Sequence, residues 1–276
     1  MNIDLHTHSD RSDGSLPPSA LIGHAAAAGI EVLALTDHDT IAGLDEAERC
    51  ASIHRLRLVP GVEISASWRA QTLHVLGLWI DPRSALLCGA LDAQAERRRV
   101  RMRKMCARLE RAGFPGTRLL ADVEAHPGLP TRSHLAHAMV AAGLVAKPDE
   151  AFRKYLGAGK RAHVASEWPG LAEVIAWILA AGGTAVLAHP ARYSLSAGAR
   201  RQLLTDFKTA GGTALEVVSG RNGTSHAEGL AAMAVKYGLM GSVGSDFHDP
   251  ELTWNPLGRS LKLPDCDTPV WRSYIT

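Results

Sequence analysis

Along the chain, short runs apolar at nearly every position alternate with longer runs whose apolar residues recur every three or four. NIDLHTH, EVLALTDHD, LRLVPGVEIS, TLHVLGLWI, TAVLAHP, ALEVVSG and MGSVGSDFHD read as seven β-strands. PPSALIGHAAAAG, IAGLDEAERCASIHR, LAEVIAWILAAGG, AGARRQLLTDFKTAG and TSHAEGLAAMAVKYG read as helices. In the first of these, Ser15 or a neighbour can cap and the prolines can occupy the opening turn. Strands without a polar face, alternating with helices, predict a parallel sheet covered by helices.

Polar side chains are unevenly placed on those strands. His38 ends VLALTDHD, Glu63 ends LVPGVEIS, His189 ends AVLAHP, Glu216 lies in ALEVVSG, and Asp246 with His248 ends MGSVGSDFH. The C-terminal ends of strands in a parallel α/β barrel open on one face, so residues far apart in sequence are predicted to converge. In DLHTHSDRSDGS, His6 and His8 stand at i and i+2 and project to the same side of a strand, with Asp13 arriving on the next turn. A lone His-x-His reads first as a solvated strand edge, and His74 within TLHVLGLWI, taken alone, as a hydrogen-bonded core histidine. Their place in an ordered set favours ligands. Asp37 and Asp39, flanking His38, are expected to orient imidazoles rather than bind metal. Glu216 either serves the site or closes a strand. His24, His54, His126, His137, His163 and His226 lie outside any motif and are read as surface or structural residues.

Imidazoles and carboxylates without thiolates suit Mn²⁺, Fe²⁺, Zn²⁺ or Mg²⁺. The candidates His6, His8, Asp13, His38, Glu63, His74, His189, Asp246 and His248 exceed what one ion can use. Two or three ions sharing a bridging carboxylate such as Glu63 would satisfy them. Water held between such ions becomes a nucleophile near neutral pH, so the predicted chemistry is metal-assisted hydrolysis.

The alternation breaks between about residues 84 and 163. ALDAQAERRRVRMRKMCARLERAG is a strongly basic helix, and PTRSHLAHAMVAAGLV and DEAFRKYLG are helical with no strand between them. This reads as a helical insertion. Its basic run is taken as a solvated face, with a phosphate- or RNA-attracting surface as the alternative.

Composition narrows the picture further. With 276 residues, 46% hydrophobic and 21% charged, the chain can bury a large core. A net charge of +2 is too mild to announce a nucleic-acid-binding tail. Cys50, Cys88, Cys106 and Cys266 form no C-x-x-C pair, which argues against a zinc knuckle or a disulfide framework and for the reducing cytoplasm. No signal peptide is visible, and VIAWILAAGGTAVLA is too short to span a membrane. No obligate protein partner is evident.

DLHTHSDRSDGS, LALTDHD, PGVEIS, HVLG, AHP and GSDFH, in this order, resemble the successive motifs of the PHP (polymerase and histidinol phosphatase) family, an amidohydrolase-like group. The resemblance implies an α/β fold, a distorted (β/α)7 barrel with an inserted helical subdomain. Residues 1–98 and 160–276 would form the barrel and 99–159 a helical cap over the substrate. It implies three divalent ions, Mn²⁺ being the first choice. His6, His8, Glu63 and Asp246 would hold the first ion, Glu63, His74 and His189 the second, and Asp13, His38 and His248 the third. A bridging hydroxide would be held at Glu63 and Asp246. Many relatives have histidine where Asp13 stands, which makes the third ion the least constrained.

Substrate is read from cationic groups expected near the mouth. Arg192 follows AHP, Arg221 and Asn222 follow EVVSG, and Arg132, His134 and Lys160 come from the insertion and its return. Several arginines around one pocket point to a substrate with more than one phosphate. The T-R-x-H insertion most resembles the subgroup removing the 3′-phosphate of nucleoside 3′,5′-bisphosphates. The alternatives are 5′-3′ exoribonuclease action on short 5′-phosphorylated RNA and histidinol-phosphate-type hydrolysis.

Overall fold

The computed structural model describes residues 1–220, 224–252, 257, 262–264 and 268–274. Seven strands form one sheet in sequential order: β1 (Ile3–Asp4), β2 (Val32–Leu35), β3 (Arg57–Trp68), β4 (Gln71–Leu78), β5 (Thr184–Leu187), β6 (Ala214–Ser219) and β7 (Met240–Gly244). The sheet curls until its edges meet. Leu5 donates its backbone N–H to Val243 O (3.0 Å) and His8 to Phe247 O (2.9 Å), and Thr7 bridges Phe247 in parallel register. The result is a mixed α/β fold around a nearly closed seven-stranded barrel.

One expectation needs correction. The sheet is not wholly parallel, because β4 runs antiparallel to both β3 and β5. Only Arg69 and Ala70 separate β3 from β4, and a parallel return needs a crossover of a dozen residues or more. The reversal has a use: it brings the N-terminal half of β4, with His74, to the mouth where the other strands end. β3 also continues five residues past Glu63, to Trp68, in its hairpin with β4.

Helices α1 (Pro18–Ala27) and α2 (Leu44–His54) cover the first strands. No side chain caps α1; Pro17 precedes it, and Ser15 instead donates its backbone N–H to His248 O at 2.7 Å. The insertion begins with α3 (Ala85–Arg111) and continues through α4 (Gly116–Glu124), α5 (Arg132–Ala141), α6 (Pro148–Ala151) and a π-turn over Phe152–Leu156. The chain returns through α7 (Leu171–Ala180), α8 (Ala197–Thr209) and α9 (Thr224–Tyr237). α7 shows why these helices dock: it buries Leu171, Val174, Ile175 and Ile178, an i, i+3, i+4, i+7 stripe, against the barrel.

Two separate apolar clusters result. One fills and surrounds the barrel. The other, running from Met102 to Val164, lies inside the insertion. α3 crosses both, giving Leu87 and Leu91 to the first and Met102, Met105, Cys106 and Leu109 to the second. Between them its buried stripe turns polar. Gln94 and Arg98 are buried there and bind Asp39 and Ser65 of the barrel. No helix among the described residues is long and apolar enough to cross a membrane.

Candidate metal centre

All nine predicted ligands meet at the barrel mouth, around the fully buried Glu63. Its two oxygens face different partners. Oε2 lies 3.4 Å from both His6 Nε2 and His8 Nε2 and 2.8 Å from His38 Nδ1. Oε1 lies 2.9 Å from both His74 Nδ1 and His189 Nε2. Asp246 Oδ1 stands 3.1 Å from His8 Nε2 and 3.3 Å from His6 Nε2. Asp13 Oδ1 stands 3.6 Å from His38 Nε2 and 3.4 Å from His248 Nε2.

The backbone is bent to achieve this. Asp246 and His189 hold positive φ angles of 55° and 29°, a conformation that non-glycine residues adopt only when the surroundings enforce it. Gly244 is required by the crowding: a Cβ there would stand 2.3 Å from His6 Cβ and 2.7 Å from Glu216 Oε1. Gly14 likewise permits the turn that presents Asp13, since a Cβ would stand 2.3 Å from His8 O.

The buried acids and imidazoles set one another's charge. Against the penalty of burial, the imidazoles of His38, His74 and His6 hold Glu63 well below the usual carboxylate range. His6 and His248 likewise hold Asp246 down, and His38 and His248 hold Asp13 down. The reciprocal effect raises His6, through Glu216 and Glu63, and lifts His248 to about 9 through Asp246 and Asp13, in both cases against burial. His8 is driven down to about 3 by burial and by the neighbouring His248. Neutral imidazoles and ionised carboxylates are the ligand forms a divalent ion takes. The buried His6 Nε2, Glu63 Oε2 and Asp13 Oδ1 make no well-formed hydrogen bond, although donors and acceptors surround them. Three sets of donor atoms, each within 4.8 Å of one another, could hold an ion: His8, Asp13, His38 and His248; His6, His8 and Glu63; and His38, Glu63 and His74. The residues present fit a divalent-metal cluster.

Comparison with known proteins agrees. The PHP domain matches residues 4–93. A 5′-3′ exoribonuclease of Haemophilus influenzae is 42% identical over 275 residues, 98% of each chain. A 3′,5′-nucleoside bisphosphate phosphatase of Chromobacterium violaceum is 41% identical over 275 residues, 98% of this chain and 95% of that one. The chain belongs to the PHP family. A solved amidohydrolase structure from Chromobacterium violaceum, with sulfate bound and no metal, superposes with a TM-score of 0.92 at 40% identity, covering 99% of this chain and 95% of that one. As a PHP protein the chain is a metal-dependent phosphoric ester hydrolase.

Glu216, which the sequence left open, serves the site. It is fully buried, its Oε1 lies 2.9 Å from His6 Nδ1, and its Oε2 accepts the backbone N–H of His189. One carboxylate thus orients two of the PHP histidines. Among the described residues neither Asp37 nor Asp39 is hydrogen-bonded directly to an imidazole, but Asp37 reaches His8 through Ser12, whose Oγ lies 3.5 Å from His8 Nδ1. Asp37 accepts from Ser9 N (2.8 Å), Ser9 Oγ (2.6 Å) and Ser12 Oγ (2.6 Å), tying down the loop between His8 and Asp13. Asp39 accepts from Ser65 N (2.7 Å) and Arg98 Nε (2.7 Å), tying α3 to the barrel.

The cluster floors a cavity of about 790 Å³ whose opposite wall is built by the insertion. Arg132 and Arg192 line it as expected, and Arg192 also pairs with Asp246. Arg98, Arg101, Ser133 and His163 line it too, although nothing in the motifs marked them. For Arg98 a signal existed: a charged residue on the buried stripe Leu87, Leu91, Gln94, Arg98, Met102 has to be partnered. Two candidates stand off that wall. His134 is absent from the cavity wall among the described residues; its Nδ1 accepts the N–H of Thr131, whose Oγ1 accepts the N–H of His134, a reciprocal cap on α5. Lys160 is exposed at the surface and is likewise absent from that wall. Arg221 and Asn222 lie outside the described residues.

Proposed function

We propose that this chain removes the 3′-phosphate of nucleoside 3′,5′-bisphosphates, giving the 5′-monophosphate and inorganic phosphate. The observation that carries the reading is a single cavity with a metal-ligand cluster on its floor and arginines 98, 101 and 132 on its wall. These arginines crowd one another. Burial first, then Arg132 and Arg98, push Arg101 down to about 10, so the wall gains most from an anion that neutralises it. A second, uncleaved phosphate supplies that anion, and Ser133 adds a hydroxyl.

The ligand division follows the family. His6, His8, Glu63 and Asp246 would hold one ion, Glu63, His74 and His189 a second, and Asp13, His38 and His248 a third; the nitrogen and oxygen donors suit Mn²⁺, Fe²⁺, Zn²⁺ or Mg²⁺, with Mn²⁺ the first choice by resemblance to the family. When bound, such ions polarise the phosphoryl group and lower the pKa of water. Glu63 sets the spacing, because its two oxygens face different imidazoles, three at Oε2 and two at Oε1. Glu216 fixes the ring of His6. Arg192, beside Asp246 and 44% exposed in its side chain, is placed to receive a phosphoryl oxygen. The helical unit 99–159 acts as the substrate cap, its position set by Arg98 and Asp39. The unpaired Cys50, Cys88 and Cys106 fit a cytoplasmic setting.

The exoribonuclease reading is the second one, supported by the relative from Haemophilus influenzae and by a 41% identical relative from Escherichia coli that is also named a 5′-3′ exoribonuclease. Histidinol phosphate, with one phosphate, would leave the arginine wall without a second phosphate to bind. The test is phosphate or nucleotide release by metal-loaded protein from adenosine 3′,5′-bisphosphate, a 5′-phosphorylated short RNA and histidinol phosphate, side by side. Fastest turnover of the bisphosphate, weakly dependent on salt, is expected. Preference for RNA with a steep salt dependence would replace this reading with the second.

A further inference from the structure

Beyond the arginine wall the cavity continues into a furrow along α3. Arg101, Ala165 and Trp168 line both the cavity and a groove of about 440 Å³ between α3 and the returning segment 164–168. Lys104, Val164, Ala165 and Glu167 line that groove and also a further one of about 450 Å³, which reaches Arg108 and Arg111. The cations along it, Arg97, Arg101, Lys104, Arg108 and Arg111, recur at intervals of four, three, four and three residues. That repeat keeps them on one face of the helix, about 5 Å apart along its axis and about 20 Å end to end. Their floor is apolar: Val100, Val164, Ala165 and Trp168. Two acids also line the furrow. Glu167 is exposed on its wall, and Glu96 is held by Arg103 at 2.7 Å and Arg99 at 3.9 Å, both off the stripe. A periodic cation row above an apolar floor is the arrangement that tracks a single-stranded nucleic acid, with phosphates on the cations and bases on the floor. A lone diphosphate would engage only part of such a row.

The furrow has a direction. It meets the cavity at Arg101, Ala165 and Trp168, on the arginine wall and not on the metal-ligand floor. It therefore starts at the phosphate that is not cleaved. In a bisphosphate held with its 3′-phosphate on the cluster, that is the 5′-phosphate. We infer that the furrow holds the 5′-ward part of an oligonucleotide whose 3′-terminal phosphate lies at the cluster, and that the enzyme is also a 3′-phosphatase of short single strands. The inference rests on the bisphosphate reading. Water adds its oxygen to phosphorus, the bond from phosphorus to the 3′ oxygen breaks, and that oxygen leaves with a proton as a 3′-hydroxyl beside inorganic phosphate. A strand degraded from its 5′ end would instead continue from the scissile phosphorus through its 5′-ester oxygen, on the side opposite the leaving 3′ oxygen and away from the furrow.

The experiment uses the metal-loaded full chain and three probes: adenosine 3′,5′-bisphosphate, a tetranucleotide with a 3′-phosphate and 5′-hydroxyl, and one with a 5′-phosphate and 3′-hydroxyl. The wild-type protein is expected to release phosphate from the first two. In the double variant Lys104→Glu, Arg111→Glu, both exposed on α3 and outside the catalytic cavity, kcat/KM for the 3′-phosphorylated tetranucleotide should fall about tenfold or more, with a flatter salt dependence. Unchanged turnover of the bisphosphate shows that the variant is folded. Wild-type hydrolysis of the bisphosphate without release from the 3′-phosphorylated strand would overturn this inference alone, and release from neither would overturn the bisphosphate reading with it. Equal losses on both tetranucleotides would assign the furrow to nucleic acid of either polarity and also overturn it.

Discussion

The barrel mouth and the helical insertion build one cavity by opposite means. At the mouth the side chains are short, buried or half-buried, and several are held by a second protein group: His6 by Glu216, the His8 loop by Asp37, His189 by the Glu216 contact to its backbone. On the insertion side, long arginines reach in from helices that have their own apolar cluster. The mouth gains precision from backbone geometry, at the cost of strained φ angles at Asp246 and His189. The insertion gains adaptability, since an arginine can follow a phosphate without moving the barrel. Chemistry should therefore be intolerant of change at the mouth, and substrate choice adjustable in the insertion.

The strongest way to break this comparison is at Glu63. Glu63→Gln replaces the carboxylate shared by two groups of imidazoles with a neutral amide, and is expected to lose metal and activity together, by more than about 10³-fold in kcat/KM. Full metal content by elemental analysis with normal turnover would show that Glu63 does not organise the mouth. Next comes the joint between the regions. Asp39→Asn leaves the buried Arg98 guanidinium without its anion, and should lower unfolding stability by about 3 kcal/mol in chemical denaturation. A change under about 0.5 kcal/mol would mean that the insertion is held by apolar contacts alone.

Arg132→Ala tests adjustability in the insertion. It should reduce kcat/KM for a bisphosphate by about one to two powers of ten and barely alter hydrolysis of an aryl phosphate, with metal content unchanged. Equal loss on both substrates would place Arg132 at the reacting phosphate. The smallest effect is expected at His134. His134→Ala removes half of a reciprocal cap, costing about 1 kcal/mol of stability without changing bisphosphate kinetics. A selective kinetic loss there would return His134 to the substrate site.

How much of this was legible follows the same division. The mouth residues could be found because each sits at a fixed place in a short local pattern, and a strand converts that pattern into direction. His74 shows the limit: its motif marked it, but a two-residue hairpin, and not a parallel repeat, explains how it arrives. Glu216 was visible as a carboxylate in an apolar strand, yet its task depends on His6, 210 positions away. Arg98 and Arg101 were hidden in a basic run because two successive turns of one helix meet different surroundings, Asp39 at one and the groove wall at the other.

The chain on its own therefore determined the strands, the imidazoles and carboxylates that meet at the mouth and the hydrolytic chemistry, since all three depend on residue type and local period. Tertiary structure decided which cations face the cavity, which histidine caps a helix and which acid orients a ring. Those outcomes depend on distances between segments remote in sequence, and no local period encodes them.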